Sequence, residues 1–170
     1  MTPPRRQRSV WATVAASHEE GLIHGDGQLF FDDFKVGDVF RSPSRTVGDA
    51  HFLFFAGMTG DNHPIHYDDA YARTTRFGAR VAHGLLVMGM TALGASPLSH
   101  RLEAAMVAFM EQGCRFLKPV LVGDTVRPQF EVAALERKGD RGVLRLAIRV
   151  TNQRDELVLE GHHVYLVKCR

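Results

Sequence analysis

Three segments in the second half of the chain alternate apolar and polar residues at every second position. Leu144, Leu146, Ile148 and Val150 interleave with Arg145, Ala147, Arg149 and Thr151. Val126, Pro128, Phe130, Val132 and Ala134 interleave with Thr125, Arg127, Gln129 and Glu131. Leu157, Leu159, His163, Tyr165 and Val167 form a third series. A period of two marks a strand with one buried face, so each series predicts a strand. Turn residues at Lys138-Gly139-Asp140 and Asn152-Gln153-Arg154-Asp155 separate them, as expected of antiparallel neighbours. Pro128 has no N–H for a ladder and predicts a bulge or an edge position. Residues 104–110 and 115–120 predict two further extended segments.

The first half reads as helices. Residues 85–96, Leu-Leu-Val-Met-Gly-Met-Thr-Ala-Leu-Gly-Ala-Ser, carry no charge and run into Pro97. A helix apolar on every side is a buried helix, so this stretch predicts a central helix that Pro97 stops. Gly89 and Gly94 would let neighbours approach its backbone, at about 1 kcal/mol each against alanine. Asp49 predicts the N-cap of a helix over 50–58 with Phe52, Phe55 and Ala56 on one face, ended by Gly60. A short helix is expected over 68–73. Phe30, Phe31 and Phe34 precede a turn at Lys35-Val36-Gly37-Asp38. Helices followed by an antiparallel meander predict an α+β domain. A sheet bent around one buried helix, over residues 29–170, satisfies both patterns. Residues 1–28 read as a flexible lead-in with Gly25-Asp26-Gly27 as a hinge. Arg5, Arg6 and Arg8, with no acidic residue through position 17, also loosely resemble a targeting segment.

Bulk numbers narrow the class without choosing a function. A chain of 170 residues fits one domain with a real core. Its 45% hydrophobic and 24% charged content is ordinary for a globular protein. A net charge of +2 demands neither nucleic acid nor membrane as a partner. No apolar run approaches the roughly 18–20 residues of a membrane span. Cys114 and Cys169 lie far apart without a CxxC, which implies neither zinc nor a disulfide framework and fits a reduced, cytoplasmic setting.

The chemistry concentrates in Thr59-Gly60-Asp61-Asn62-His63-Pro64-Ile65-His66. Pro64 fixes its own φ and biases His63 toward extended backbone, so a rigid loop can aim Asp61 and His66 at one point. Such a pair can hold a water, one group taking its proton while the other orients it or delivers a proton. A helix-capping aspartate and a histidine bonded to a carbonyl would give the same spacing. Downstream, Ala82-His83-Gly84 opens the apolar stretch, where a free Gly84 N–H could polarise a thioester carbonyl. Glycine permitting tight packing is the plain alternative. His63, His66 and His83 could be imagined as a zinc set, but no known metal motif accompanies them, and no metal is expected. His162 and His163 face opposite ways on a strand, while His18, His24, His51 and His100 read as surface or capping residues. Arg73, Arg76 and Arg80 form a solvated face; alternatively they, or Arg115 and Lys118, meet the phosphates of a carrier such as coenzyme A.

The stretch from Phe55 through His66 resembles the hydratase signature of MaoC-like dehydratases, the R-specific enoyl-CoA hydratases. Three other blocks are similar to that family: Phe31-Asp32-Asp33-Phe34-Lys35-Val36-Gly37-Asp38, Ala82-His83-Gly84-Leu85-Leu86, and Phe116 through Thr125. The likeness runs from about residue 30 to 168. It implies a hot-dog fold and reversible syn addition of water to a trans-2-enoyl-CoA, giving an R-3-hydroxyacyl-CoA. Asp61 and His66 would be the catalytic pair and Gly84 the oxyanion donor, with His83 and His63 beside the substrate. His63 stands where the family usually has Asn, which bears on local hydrogen bonding and substrate choice. No cofactor is implied beyond coenzyme A as part of the substrate, and a homodimer or larger homo-oligomer is expected. An acyl-CoA thioesterase and a non-catalytic acyl-thioester-binding subunit are the alternatives.

Overall fold

The computed structural model describes residues 27–170, so the readings for the lead-in before residue 27, with His18 and His24, lie outside the described residues. Six strands form one antiparallel assembly: β1 (Val39–Arg41), β2 (Arg45–Thr46), β3 (Met106–Phe116), β4 (Thr125–Lys138), β5 (Arg141–Thr151) and β6 (Leu157–Lys168). Their order is β1-β4-β5-β6-β3, with β2 beside β4. The helices are α1 (Asp49–Thr59), α2 (Asp69–Thr74), α3 (Gly84–Gly89) and α4 (Pro97–Arg101).

The alternating series become β4, β5 and β6, and their apolar members meet the helices in one core. Phe130, Leu144, Leu146 and Ile148 join Val87, Leu93, Leu98 and Leu102 there. One detail departs from strict alternation. A register shift between Val132 and Ala134 changes the phase of β4, so Ala134 is exposed and Leu135 packs against the core instead.

Pro128 is neither at an edge nor in a bulge. It pairs with Val150 on one side and accepts a hydrogen bond from Ser42 N–H on the other. The neighbouring strand is interrupted there, since β1 ends at Arg41 and β2 resumes at Arg45. A missing N–H matters little where the partner strand leaves a gap. Most of the segment expected at 104–110 and the first two residues of that at 115–120 fall in one strand, β3, while 117–120 lie past its end. Register shifts at Met106/Ala108 and Phe109/Glu111 absorb its irregularity. The sheet order leaves β3 at an edge.

The apolar stretch at 85–96 is not one long helix. α3 ends at Gly89, and Thr91 N and Ala92 N donate to carbonyls three residues back. The Thr91 hydroxyl also donates to Met88 O, 2.6 Å away, occupying an acceptor that a continuing α-helix would use. Pro97 starts α4 rather than stopping a helix, because a first helical residue needs no N–H. Leu85 is 59% exposed, and nothing within 4 Å would meet a Cβ at Gly89 or Gly94. The stretch therefore buries one face, with Val87, Met90 and Leu93, and leaves the other open.

Candidate active site

α1 delivers the reactive loop. Phe52, Phe55 and Ala56 bury one face of the helix, and Asp49 is its first residue rather than its cap. Gly48 holds the cap position, and its N–H donates to His51 Nδ1 at 3.2 Å. Gly60 closes the helix with a left-handed φ of 76°, a conformation glycine adopts without strain. The chain then turns at once into Asp61.

His63 caps the short 3₁₀ turn Pro64–His66, its Nδ1 accepting the Ile65 N–H at 3.2 Å. An asparagine side chain makes this kind of bond two residues along. The departure from the family pattern thus keeps the local hydrogen bond while adding an aromatic ring, which sits edge-on to Tyr71. Asp68 caps α2 by accepting from Tyr71 N–H.

His66 is pinned from behind. Its Nδ1 lies 2.6 Å from Val81 O, and a carbonyl only accepts, so Nδ1 carries the proton. In the neutral ring Nε2 then holds the open lone pair. Val81 is itself held, its N–H on Ile65 O, and its neighbour Ala82 donates to Val120 O. Three residues past Val81, Gly84 begins α3. First-turn N–H groups have no intrahelical acceptor, and Gly84 lines a cavity of about 320 Å³ with Arg76, Val81, Phe116, Lys118 and Val158.

His83 does not face that cavity. It is 2% exposed, its ring stacked on His66 with centroids 3.8 Å apart and flanked by Phe52 and Phe55. Its Nε2 reaches Asp61 O at 3.2 Å and Tyr67 Oη at 3.0 Å, while buried Nδ1 has no partner. Burial, and next the nearby His66, push the His83 imidazolium below the usual histidine range. His83, expected beside the substrate from the sequence, is instead buried behind the His66 ring. Tyr67 ties this arrangement together, its hydroxyl within 3.1 Å of both Phe52 O and Asp61 O. Tyr67 carries no sequence signal beyond its place directly after the motif.

Asp61 is exposed and His66 partly so, and polar side-chain atoms of Asp61, His66 and His83 all lie within 4.8 Å of one another. This is the trio that could be asked to hold a metal, rather than His63, His66 and His83. Stacked rings suit the task poorly. A zinc ion needs both imidazole lone pairs converging at about 2.0–2.1 Å, whereas face-to-face rings keep them in separate planes. The spacing does suit one water between Asp61 and His66.

The basic residues divide. Arg80 is engaged inside the fold, bonded to Asp49 at 2.7 Å and Asp69 at 2.8 Å, and the Asp49 bond leads the effects that raise its pKa. Arg115 pairs with Glu160 and Lys118 with Glu156. Lys118 and Arg76 line the Gly84 cavity; Arg115 and Arg80 do not. His162 bonds Glu111 at the surface while His163 is buried, as a strand's alternation requires. Among the described residues, no helix is long and apolar enough to cross a membrane.

The chain is similar to named proteins over most of its length. It is 34% identical over 133 residues to the 3-hydroxybutyryl-CoA dehydratase of Methylorubrum extorquens, covering 78% of this chain and 80% of that one. It is 30% identical over 141 residues to an (R)-specific enoyl-CoA hydratase of Rhodospirillum rubrum, covering 83% and 93%. The solved (R)-hydratase of Aeromonas caviae superposes with a TM-score of 0.66 at 31% identity, over 81% of this chain and 98% of that one. The antiparallel sheet with its packed helices is the hot-dog fold. The MaoC like domain model matches residues 33–153, a span that takes in the Asp61–His66 loop, Gly84 and the greater part of the sheet, and the chain belongs to that family.

Proposed function

We propose that the protein catalyses the reversible hydration of a trans-2-enoyl-CoA to an R-3-hydroxyacyl-CoA. One observation carries the reading: Asp61 and His66 lie a water's span apart, and His66 is locked through Val81 to the segment that starts α3 at Gly84. A water between them donates one hydrogen to the Asp61 carboxylate and the other to His66 Nε2. Its oxygen lone pairs are then free to meet C3 of the substrate.

As the C–O bond forms at C3, His66 Nε2 takes the water's proton and the alkene electrons move to the thioester oxygen. The Gly84 N–H stabilises that oxyanion, a contribution of the kind that often dominates such reactions. His66 then returns the proton to C2 on the same face, giving syn addition and restoring the neutral ring. Asp61 favours the transient imidazolium, and His83, kept neutral behind it, adds no opposing charge. Arg76 and Lys118 sit in the cavity on the Gly84 side, where a carrier's phosphates would find cations. The named relatives act on CoA thioesters, which supports coenzyme A as the carrier.

Self-association through β3 also fits. This edge exposes Val107, Phe109, Met110 and Phe116, and an open strand edge with apolar side chains favours pairing with another strand. We read the working form as a homodimer.

Loss of enoyl-CoA absorbance tests the activity. Asp61→Asn and His66→Ala should each cut kcat by about 10²–10⁴-fold. Full activity in Asp61→Asn, or no hydration of any enoyl-CoA by the wild type, overturns the proposal.

A further inference from the structure

A second cavity, of about 270 Å³, lies at the Gly89 end of α3, lined by Met88, Leu93, Phe109, Gln112, His163 and Tyr165 among others. One of its walls is apolar. The other is formed by Gln112, His163 and Tyr165, backed by Thr91 in a hydrogen-bonded relay: Thr91 and His163 are each 1% exposed and Tyr165 is 4% exposed. Buried polar groups of this kind restrict what can be placed against them.

Donor counting fixes the relay's direction. The Thr91 hydroxyl gives its proton to Met88 O, so toward Gln112 Nε2 and His163 Nε2, each at 3.3 Å, it accepts. His163 Nε2 therefore carries the proton, Nδ1 accepts, and the Tyr165 hydroxyl donates to Nδ1 at 2.9 Å. Lone pairs on Tyr165 Oη, together with the Gln112 Oε1 and second N–H, remain for whatever enters. Phe109 stacks on Tyr165 with centroids 4.9 Å apart, holding that wall in place.

Position connects this cavity to the reaction. α3 rises about 1.5 Å per residue, so Met88 and Gly89 stand roughly 6–8 Å along the helix from Gly84. An extended chain advances roughly 3.5 Å in three bonds. A thioester carbonyl held at Gly84 thus brings about the sixth carbon of its acyl chain to the relay.

We propose that this cavity takes the distal end of the acyl group and selects chains bearing a neutral oxygen, a hydroxyl or carbonyl, near C6. The inference rests on the hydratase reading for its substrate. A hydrocarbon tail would leave Gln112 Oε1, the second amide N–H and the Tyr165 Oη lone pairs facing apolar carbon. A carboxylate meets no arginine or lysine among the described lining residues, and burial holds His163 uncharged, its pKa lowered to about 4.

The test compares three thioesters matched in length: 6-hydroxyhex-2-enoyl-CoA, hept-2-enoyl-CoA and hex-2-enedioyl-CoA, with the carboxylate at C6. The wild type should favour the hydroxylated chain by about tenfold in kcat/KM, the scale of one unmade buried hydrogen bond. Gln112→Leu and Tyr165→Phe, each checked for folding by its melting transition, should bring the ratio toward one. Equal kcat/KM for the three in the wild type, or a ratio untouched in both variants, overturns the inference. Calorimetric binding of the saturated 6-hydroxyhexanoyl and heptanoyl thioesters separates the two claims. A wild type that turns over none of the enoyl-CoAs but binds the hydroxylated chain tenfold more tightly sinks the hydratase reading and keeps the cavity's selectivity. Equal binding sinks the selectivity.

Discussion

His66 lies face to face on His83, with ring centroids 3.8 Å apart and planes 24° from parallel. His66 is partly exposed, while His83 is closed off behind it. Replacing His83 with phenylalanine keeps the stack but removes the Nε2 contacts to Tyr67 and Asp61 O. The loss should cost about 1–3 kcal/mol, read from urea midpoints, and lower kcat with KM little changed. A rise in KM alone would place His83 in substrate contact instead.

His63→Asn should be nearly silent, since either side chain can accept the Ile65 N–H. His63→Ala removes the acceptor and should cost about 0.5–2 kcal/mol, the usual range for a lost cap. Thermal melts of the two variants decide it, and equal melting would show that the cap contributes nothing.

Gly84 sits under the ring of Phe116, and a Cβ there would lie 3.0 Å from Phe116 Cζ. Gly84→Ala should therefore shift the N–H from its position and reduce kcat roughly 10–100-fold. Adding Phe116→Leu should restore part of the rate, because the clash is with a side chain. An unimpaired Gly84→Ala enzyme would remove Gly84 from the oxyanion role.

Buried His163 makes stability depend on pH. Its folded pKa of about 4 lies below the ordinary histidine value of about 6.5. The unfolded chain thus binds the proton first as pH falls, and stability is lost between about pH 6.5 and 4. By pH 5 the loss from this residue is about 2 kcal/mol. Urea unfolding at pH 7 and pH 5 should show it in the wild type and a smaller fall in His163→Gln.

Much of the fold was legible because β4, β5 and β6 each bury one face, and a single buried face imposes period two. Alternation cannot show where the phase slips, so Leu135 taking the place of Ala134 needed the neighbouring strand. Pro128 signals an edge or bulge for a related reason: whether a missing N–H matters depends on the gap between β1 and β2, which no local pattern encodes. The stretch at 85–96 looked like one buried helix because composition shows neither the Thr91 hydroxyl on Met88 O nor the open face at Leu85. At the site, the local pattern picked out Asp61, His66 and Gly84. Tyr67, the Val81 carbonyl and the Thr91–His163–Tyr165 relay act through contacts across the chain, and no local spacing encodes them. Arg80 was legible as a cation but not as one already held by Asp49 and Asp69.

That engagement of Arg80 reaches beyond charge balance. Asp49 opens α1 and Asp69 opens α2, so one guanidinium joins the two ends of the segment that contains Asp61 and His66. The segment behaves as a tethered loop rather than a free one, and the entropy of holding its ends together is met within the fold before substrate arrives. The tie is ionic and its carboxylates face water, so added salt should slacken the loop while leaving the sheet beneath it intact.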